Sequence, residues 1–179
     1  MRTDIRRNLI QKDMIKIELN VKKAAALAQA RVEAAYAGAK LTQSAAEGVD
    51  AEAFDRVAMS EEEAADLDRH WAEAVAVANA SLGEMLESAS DPMGDWRATL
   101  HTSALANTAL KASVEEAMTD YFALALLGKW YRLAQPNLSE ATLERATATL
   151  KNAVGMLYCR RRPSMADYEI STNPKPDDI

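Results

Sequence analysis

Ile15-Lys16-Ile17-Glu18-Leu19-Asn20-Val21-Lys22 alternates apolar and polar residues. That period of two predicts a short half-buried strand with Ile15, Ile17, Leu19 and Val21 on one side. The pattern then changes. From Lys23 to Ala37 the alanine-rich run AAALAQARVEAAY has high helix propensity, and Gly38 follows where the left-handed residue that ends a helix belongs. Lys40 to Met59 mixes Ser44, Gly48 and polar residues around Phe54-Asp55-Arg56-Val57, which reads as a long loop with one buried anchor near Phe54.

Ser60-Glu61-Glu62-Glu63 is a capping box: the serine oxygen accepts from an orphan amide of the first turn while Glu63 reaches back. It predicts a second helix through about Glu87, buried along Leu67, Trp71, Ala74, Val75, Ala78, Leu82 and Met85 at i+3/i+4 spacing. Ser88 to Gly94 carries Asp91-Pro92 and reads as a turn. Trp96 to His101 alternates briefly, a second strand that would pair with the one near Ile17.

The stretch from Met118 to Pro163 organises the rest. A central helix is predicted from about Ala106 to Ala134. At 100° per residue, Val114, Met118, Tyr121, Phe122 and Ala125 share one face, while Leu124, Leu127 and Tyr131 share the opposite one beside Asp120. A helix apolar on two sides is either sandwiched inside its own domain or half covered by a partner copy. Gln135-Pro136-Asn137-Leu138 breaks the chain, and Ser139 is placed as the N-cap of a last helix. That helix carries a stripe of Leu143, Ala146, Thr147, Leu150, Ala153, Val154, Leu157 and Tyr158. Two such helices across a short loop form an antiparallel αα-hairpin. The expectation is a mainly α fold, a helical bundle built on this C-terminal hairpin with a small β-sheet. One domain spans 1–163, and an extended C-terminal arm spans 164–179, in which Tyr168-Glu169-Ile170 is a candidate edge strand.

Composition adds little to this picture; charge adds more. The chain has 179 residues and a net charge of -6, enough length for one domain with a real core. Met1 to Lys23 holds seven bases against three acids, whereas Glu47 to Asp95 holds fourteen acids and only Arg56 and Arg69. Such opposition steers a basic surface onto an acidic one, within a molecule or between copies, or is a solvated acidic helix face beside a basic arm. The single Cys159 excludes an intrachain disulfide, and neither a signal-like segment nor an apolar run of membrane-spanning length is present. A soluble protein in a reducing compartment is expected, with no membrane partner.

The search for chemistry finds no catalytic centre, and no catalytic, cofactor or metal residues are assigned. His70 precedes Trp71 and flanks the buried stripe, and neither it nor His101 has a nucleophile or ligand set around it. Glu61, Glu62, Glu63 and Asp66 lack the Glu-x-x-His partner of a di-iron site, and no phosphate-binding glycine loop occurs. Arg160-Arg161-Arg162 complements a helix C-terminus. Three in succession before Pro163 exceed what capping needs, and arginine forks suit carboxylate or phosphate on a partner. An acidic chain without a basic groove-reading helix is not a sequence-specific nucleic-acid reader. The candidate contact residues are therefore Leu124, Leu127 and Tyr131, and Arg160, Arg161 and Arg162.

Several segments, taken in order, resemble a family of small helical proteins from the structural modules of tailed phages and prophages, particularly those of Bacteroidetes: the head-tail connector, or neck adaptor, proteins. They are Tyr36-Ala37-Gly38-Ala39-Lys40, Phe54-Asp55-Arg56-Val57 leading into Ser60-Glu61-Glu62-Glu63, and Leu67 with His70-Trp71-Ala72-Glu73-Ala74. Tyr121-Phe122, Gly128-Lys129-Trp130-Tyr131, Leu157-Tyr158 and Arg160-Arg161-Arg162-Pro163 complete the set. The acidic extension after Pro163 and the Ala/Ser-rich central loop depart from that pattern. The resemblance implies a non-enzymatic homo-oligomeric ring in the virion neck, assembled in the host cytoplasm and docked between portal and tail proteins. Non-specific contact with DNA in the channel is compatible with it. A different class of function, a small helical regulatory or chaperone-like module holding a partner helix against Leu124, Leu127 and Tyr131, is the alternative.

Overall fold

The computed structural model describes residues 14–44, 59, 64–103 and 105–160. These form strand β1 (Met14–Val21), helix α1 (Lys23–Ser44), helix α2 (Ala64–Leu82), strand β2 (Leu86–Ala89), strand β3 (Trp96–Ser103), helix α3 (Lys111–Ala134) and helix α4 (Pro136–Leu157). The fold is mainly helical with one small antiparallel sheet, in the order β1-β3-β2.

Alternation pairs the strands as the sequence predicts. Ile17 lies opposite Leu100 and Val21 opposite Trp96. Ile17, Leu19 and Val21 of β1 and Trp96, Ala98, Leu100 and Thr102 of β3 point inward. The third strand is a correction to the sequence reading. α2 stops at Leu82, Gly83 takes φ +53 in a 3₁₀ turn, and the chain emerges extended on the free edge of β3. Only glycine adopts that backbone without strain, so Gly83 is where the helical stripe gives out. The turn at 91–94 is as expected, with the Met93 amide donating to the Asp91 carboxylate over 2.8 Å.

The described buried hydrophobic residues apart from Ala106 belong to one cluster. Its centre is Phe122, with ring centroids 4.6 Å from Trp71, 5.0 Å from Tyr121 and 5.5 Å from Trp96. The indoles meet their polar needs at the edge of this cluster: Trp71 Nε1 donates to the Gly94 carbonyl and Trp96 Nε1 to Asn79 Oδ1. The Tyr121 hydroxyl donates to the Ala74 carbonyl over 2.9 Å, and burial pushes its pKa far above the usual phenol range.

Helix limits differ from expectation in three places. α1 continues through Gly38, which is buried inside the helix; the alanines around it outweigh the cost of about 1 kcal/mol for one interior glycine. α3 starts at Lys111 rather than Ala106, because Ala106 is extended and bridged to Arg160, and Asn107 Oδ1 accepts from the Ala109 amide to begin a 3₁₀ turn. α4 starts at Pro136, whose fixed φ suits a first helical position, so Ser139 is no N-cap. Its hydroxyl is buried and donates to the Gly128 carbonyl over 2.8 Å. There α3 and α4 approach so closely that a Cβ on Gly128 would lie 2.7 Å from Leu143 Cγ. The buried line of α4 is accordingly the small-residue line Ser139, Thr142, Ala146, Leu150, Ala153 and Leu157, with Tyr158 67% exposed. The loop anchored at Phe54, the Ser60–Glu63 box and the arm at 164–179 lie outside the described residues.

Candidate interaction surfaces

Leu124, Leu127 and Tyr131 are 6%, 3% and 3% exposed within the single chain. The expectation of a contact surface there is corrected. α1 packs on α3 through Ala26, Ala30 and Ala34, side chains small enough to bring the two helices together, and α4 covers the adjoining flank. Gln29 Nε2 donates to Asp120 Oδ1 over 2.8 Å across the α1–α3 seam. Burial, then the Glu33 carboxylate, raises the Tyr131 pKa. Arg160 is exposed just beyond α4 and pairs with Ala106, near the start of α3. It is therefore about 20 Å along the helix from Leu124. Arg161 and Arg162 lie outside the described residues.

The opposed charges meet inside the molecule. Lys16 pairs with Glu87 at 2.7 Å, Lys22 with Asp95 at 2.9 Å and Lys23 with Asp68 at 2.8 Å. The Lys22 ammonium, then the Lys23 amide, holds the Asp95 carboxyl below its ordinary pKa. The Lys23 ammonium also donates to the Met93 carbonyl and lies 6.0 Å from the Trp71 ring centroid. These pairs fix how β1 and the start of α1 sit against α2 and the turn before β3. Mostly exposed, they add little stability.

His70 is buried beside the Lys129–Glu73 ion pair. Neither ring nitrogen has a hydrogen-bond partner. Burial first, then the Lys129 and Arg69 charges, lowers its pKa below 6.5, which keeps the ring neutral at neutral pH. Among the described residues no group of three or more His, Cys, Asp or Glu side chains could hold a metal ion.

Two apolar surfaces remain open, and neither contains a predicted site residue. The first is the outward face of α1. Ala24, Ala25, Ala28, Val32, Ala35 and Tyr36 are all exposed, Val32 by 57% and Tyr36 by 70%. At 100° per residue they form one continuous stripe about 120° wide without a charge in it. Gln29 and Glu33 border one side and Arg31 the other. The sequence held the signal: between Lys23 and Lys40 the only charges are Arg31 and Glu33, too few to solvate one face and bury the other.

The second is a groove of about 470 Å³ between α2 and α4. Val77 and Ser81 wall it on α2, Leu150 and Val154 on α4, and Tyr121 and Ala125 of α3 form its floor. Val77 is 52% exposed at the lip. Lys129, held by Glu73, and Lys151 stand at its edges. The apolar stripes of α2 and α4 point to the walls, but only the placement of α3 beneath them reveals the opening.

The described residues form a small α-rich domain with two exposed apolar surfaces. No family model matches the chain, and comparison with curated proteins and with solved structures finds no match either. No helix among the described residues is long and apolar enough to cross a membrane.

Proposed function

We propose that the chain is a structural protein of a tailed-phage neck, assembling as an oligomeric ring that joins portal and head to tail and acting through its surfaces. The resemblance in the sequence supplies the virion setting. The observation that carries the assembly half is the uncharged, solvent-facing stripe of α1, since a helix that is apolar on all sides normally has all sides covered. The α2/α4 groove is a second, different apolar surface on the same chain. Two non-identical patches favour head-to-tail contacts, which close into a ring when the rotation per subunit allows. Arg160, exposed beyond α4, leads into the arginine run suited to carboxylates of a portal or tail partner, or to DNA phosphate in the channel.

Negative-stain microscopy and mass measurement of the purified chain, alone and with the portal protein encoded beside it, test this reading. Rings of many copies are expected in at least the mixture. A strict monomer that ignores the portal protein, or a gene neighbourhood without portal and major capsid genes, overturns it. The groove also favours a second reading, a regulatory or chaperone-like module that holds a partner helix. A stable one-to-one complex without self-association would support that reading instead.

A further inference from the structure

We propose that the α1 stripe of one copy seats in the α2/α4 groove of the next. This rests on the homo-oligomeric reading above and adds which two surfaces meet. Shape, length and charge all support the pairing. The groove is walled by two helices with a third as its floor, the form that receives an amphipathic helix along its axis. From Ala24 to Tyr36 the stripe is about 18 Å long, and from Leu143 to Val154 the α4 wall is about 17 Å, at 1.5 Å per residue. Ala24, Ala25, Ala28 and Ala35 permit close backbone approach, and Val32 and Tyr36 are the two projecting side chains that fill the depression.

Charge selects the direction. Lys151 stands on the α4 side of the groove and makes no ion pair among the described residues, while the other lysine of the lining, Lys129, is neutralised by Glu73. The stripe has Glu33 on one border and Arg31 on the other. Of the two directions a helix takes in a groove, one sets Glu33 against Lys151 and the other sets Arg31 there. The second brings like charges together. Glu33 makes no ion pair among the described residues, so its carboxylate remains available to Lys151 of a neighbour. Stripe and groove lie on different elements, so each copy offers one of each, and the contact propagates from copy to copy.

The test uses the full chain with one charge placed in each surface, Val32→Glu and Val77→Glu, both at exposed helical positions where folding is spared. Sedimentation velocity from micromolar to near-millimolar protein is expected to show wild-type association that grows with concentration. Each variant alone should associate about tenfold more weakly or worse, because a carboxylate would be buried unpaired in an apolar contact. Their equimolar mixture should form a dimer and nothing larger, since one variant keeps an intact groove and the other an intact stripe. A wild type that stays monomeric at every concentration overturns the contact. So does a Val77→Glu variant that assembles like the wild type, the result of a symmetric stripe-to-stripe pairing. Loss of assembly on truncation after Pro163, with Val32→Glu silent, would give the groove to the acidic C-terminal arm and also overturn it. Rings that persist in both variants would discard this contact while leaving the neck reading intact; that reading fails separately, on the portal experiment.

Discussion

Helices α1 and α3 carry the same sequence signature, apolar residues all round, and meet opposite fates. α3 has the sheet and α2 on one side and α1 and α4 on the other, so twelve of its residues from Val114 to Tyr131 are buried. α1 has α3 on one side, and its other side faces water with Val32 and Tyr36. The cost of each arrangement differs. For α3, apolar burial on every side stabilises the single chain. For α1, the outer stripe buries nothing within the single chain; its alanines favour the helix, and Val32 and Tyr36 stand in solvent. An alanine-rich or apolar helix is therefore enclosed in one place and open to solvent in another, and only its neighbours in the fold decide which.

Substitutions can break the comparison in order of effect. Phe122→Ala, at the aromatic centre on α3, should cost about 3 to 5 kcal/mol in chemical denaturation, because large cavities in a dense core collapse poorly. Gly128→Ala should cost about 1 to 3 kcal/mol despite alanine's better helix propensity, since the new Cβ meets Leu143 at 2.7 Å and forces α3 and α4 apart. A stability unchanged by that methyl would mean the hairpin tolerates a wider spacing.

Next comes His70, the polar group within the α2 face that abuts α3. Its folded-state pKa is lowered, so as pH falls through 6.5 the unfolded chain takes up a proton first. Stability is full above that value and declines from there down to the folded-state pKa. His70→Leu should remove the decline and add about 1 kcal/mol by eliminating two unpaired nitrogens. Parallel acid-unfolding curves for the two proteins would refute it. By contrast, Val32→Glu or Tyr36→Ser on α1 should alter the stability of the single chain by less than about 0.5 kcal/mol. Replacing Arg160, Arg161 and Arg162 together with alanine should leave the fold unchanged and weaken binding to portal or tail protein. Unchanged partner binding with the fold intact removes the arginine run from the contact surface.

Much of the fold was legible in the residues because single faces repeat at a single period. Alternation at Ile17, Leu19 and Val21 located β1, and the same pattern at Trp96 to His101 located its partner. The Leu67-to-Leu82 stripe located α2, and the break at Gln135-Pro136 located the hairpin. β2 was illegible: Leu86-Glu87-Ser88-Ala89 has no alternating signal, and its extended form comes from Gly83 and from the open edge of β3. The site was read less well. Periodicity finds that Leu124, Leu127 and Tyr131 share a face, but it does not say what covers that face, and α1 covers it from a hundred residues earlier in the chain. Gly38 reads as a helix terminus in the sequence, yet α1 runs on to Ser44 because the alanines on either side outweigh one interior glycine.

The hairpin closes over Gln135 alone, and its far end is zipped by the Asn107 amide donating to the Cys159 carbonyl over 2.9 Å. β1 must instead find β3 at sequence separations of 75 residues (Val21–Trp96) to 89 residues (Met14–Ser103). Loop closure favours the local contacts, so the hairpin is expected to form before β1 pairs with β3. During synthesis β1 emerges early and waits, with Ile17, Leu19 and Val21 uncovered until Trp96 to Thr102 arrives. The charges beside them, Lys16, Glu18 and Lys22, are what keeps that waiting strand from pairing with the wrong neighbour.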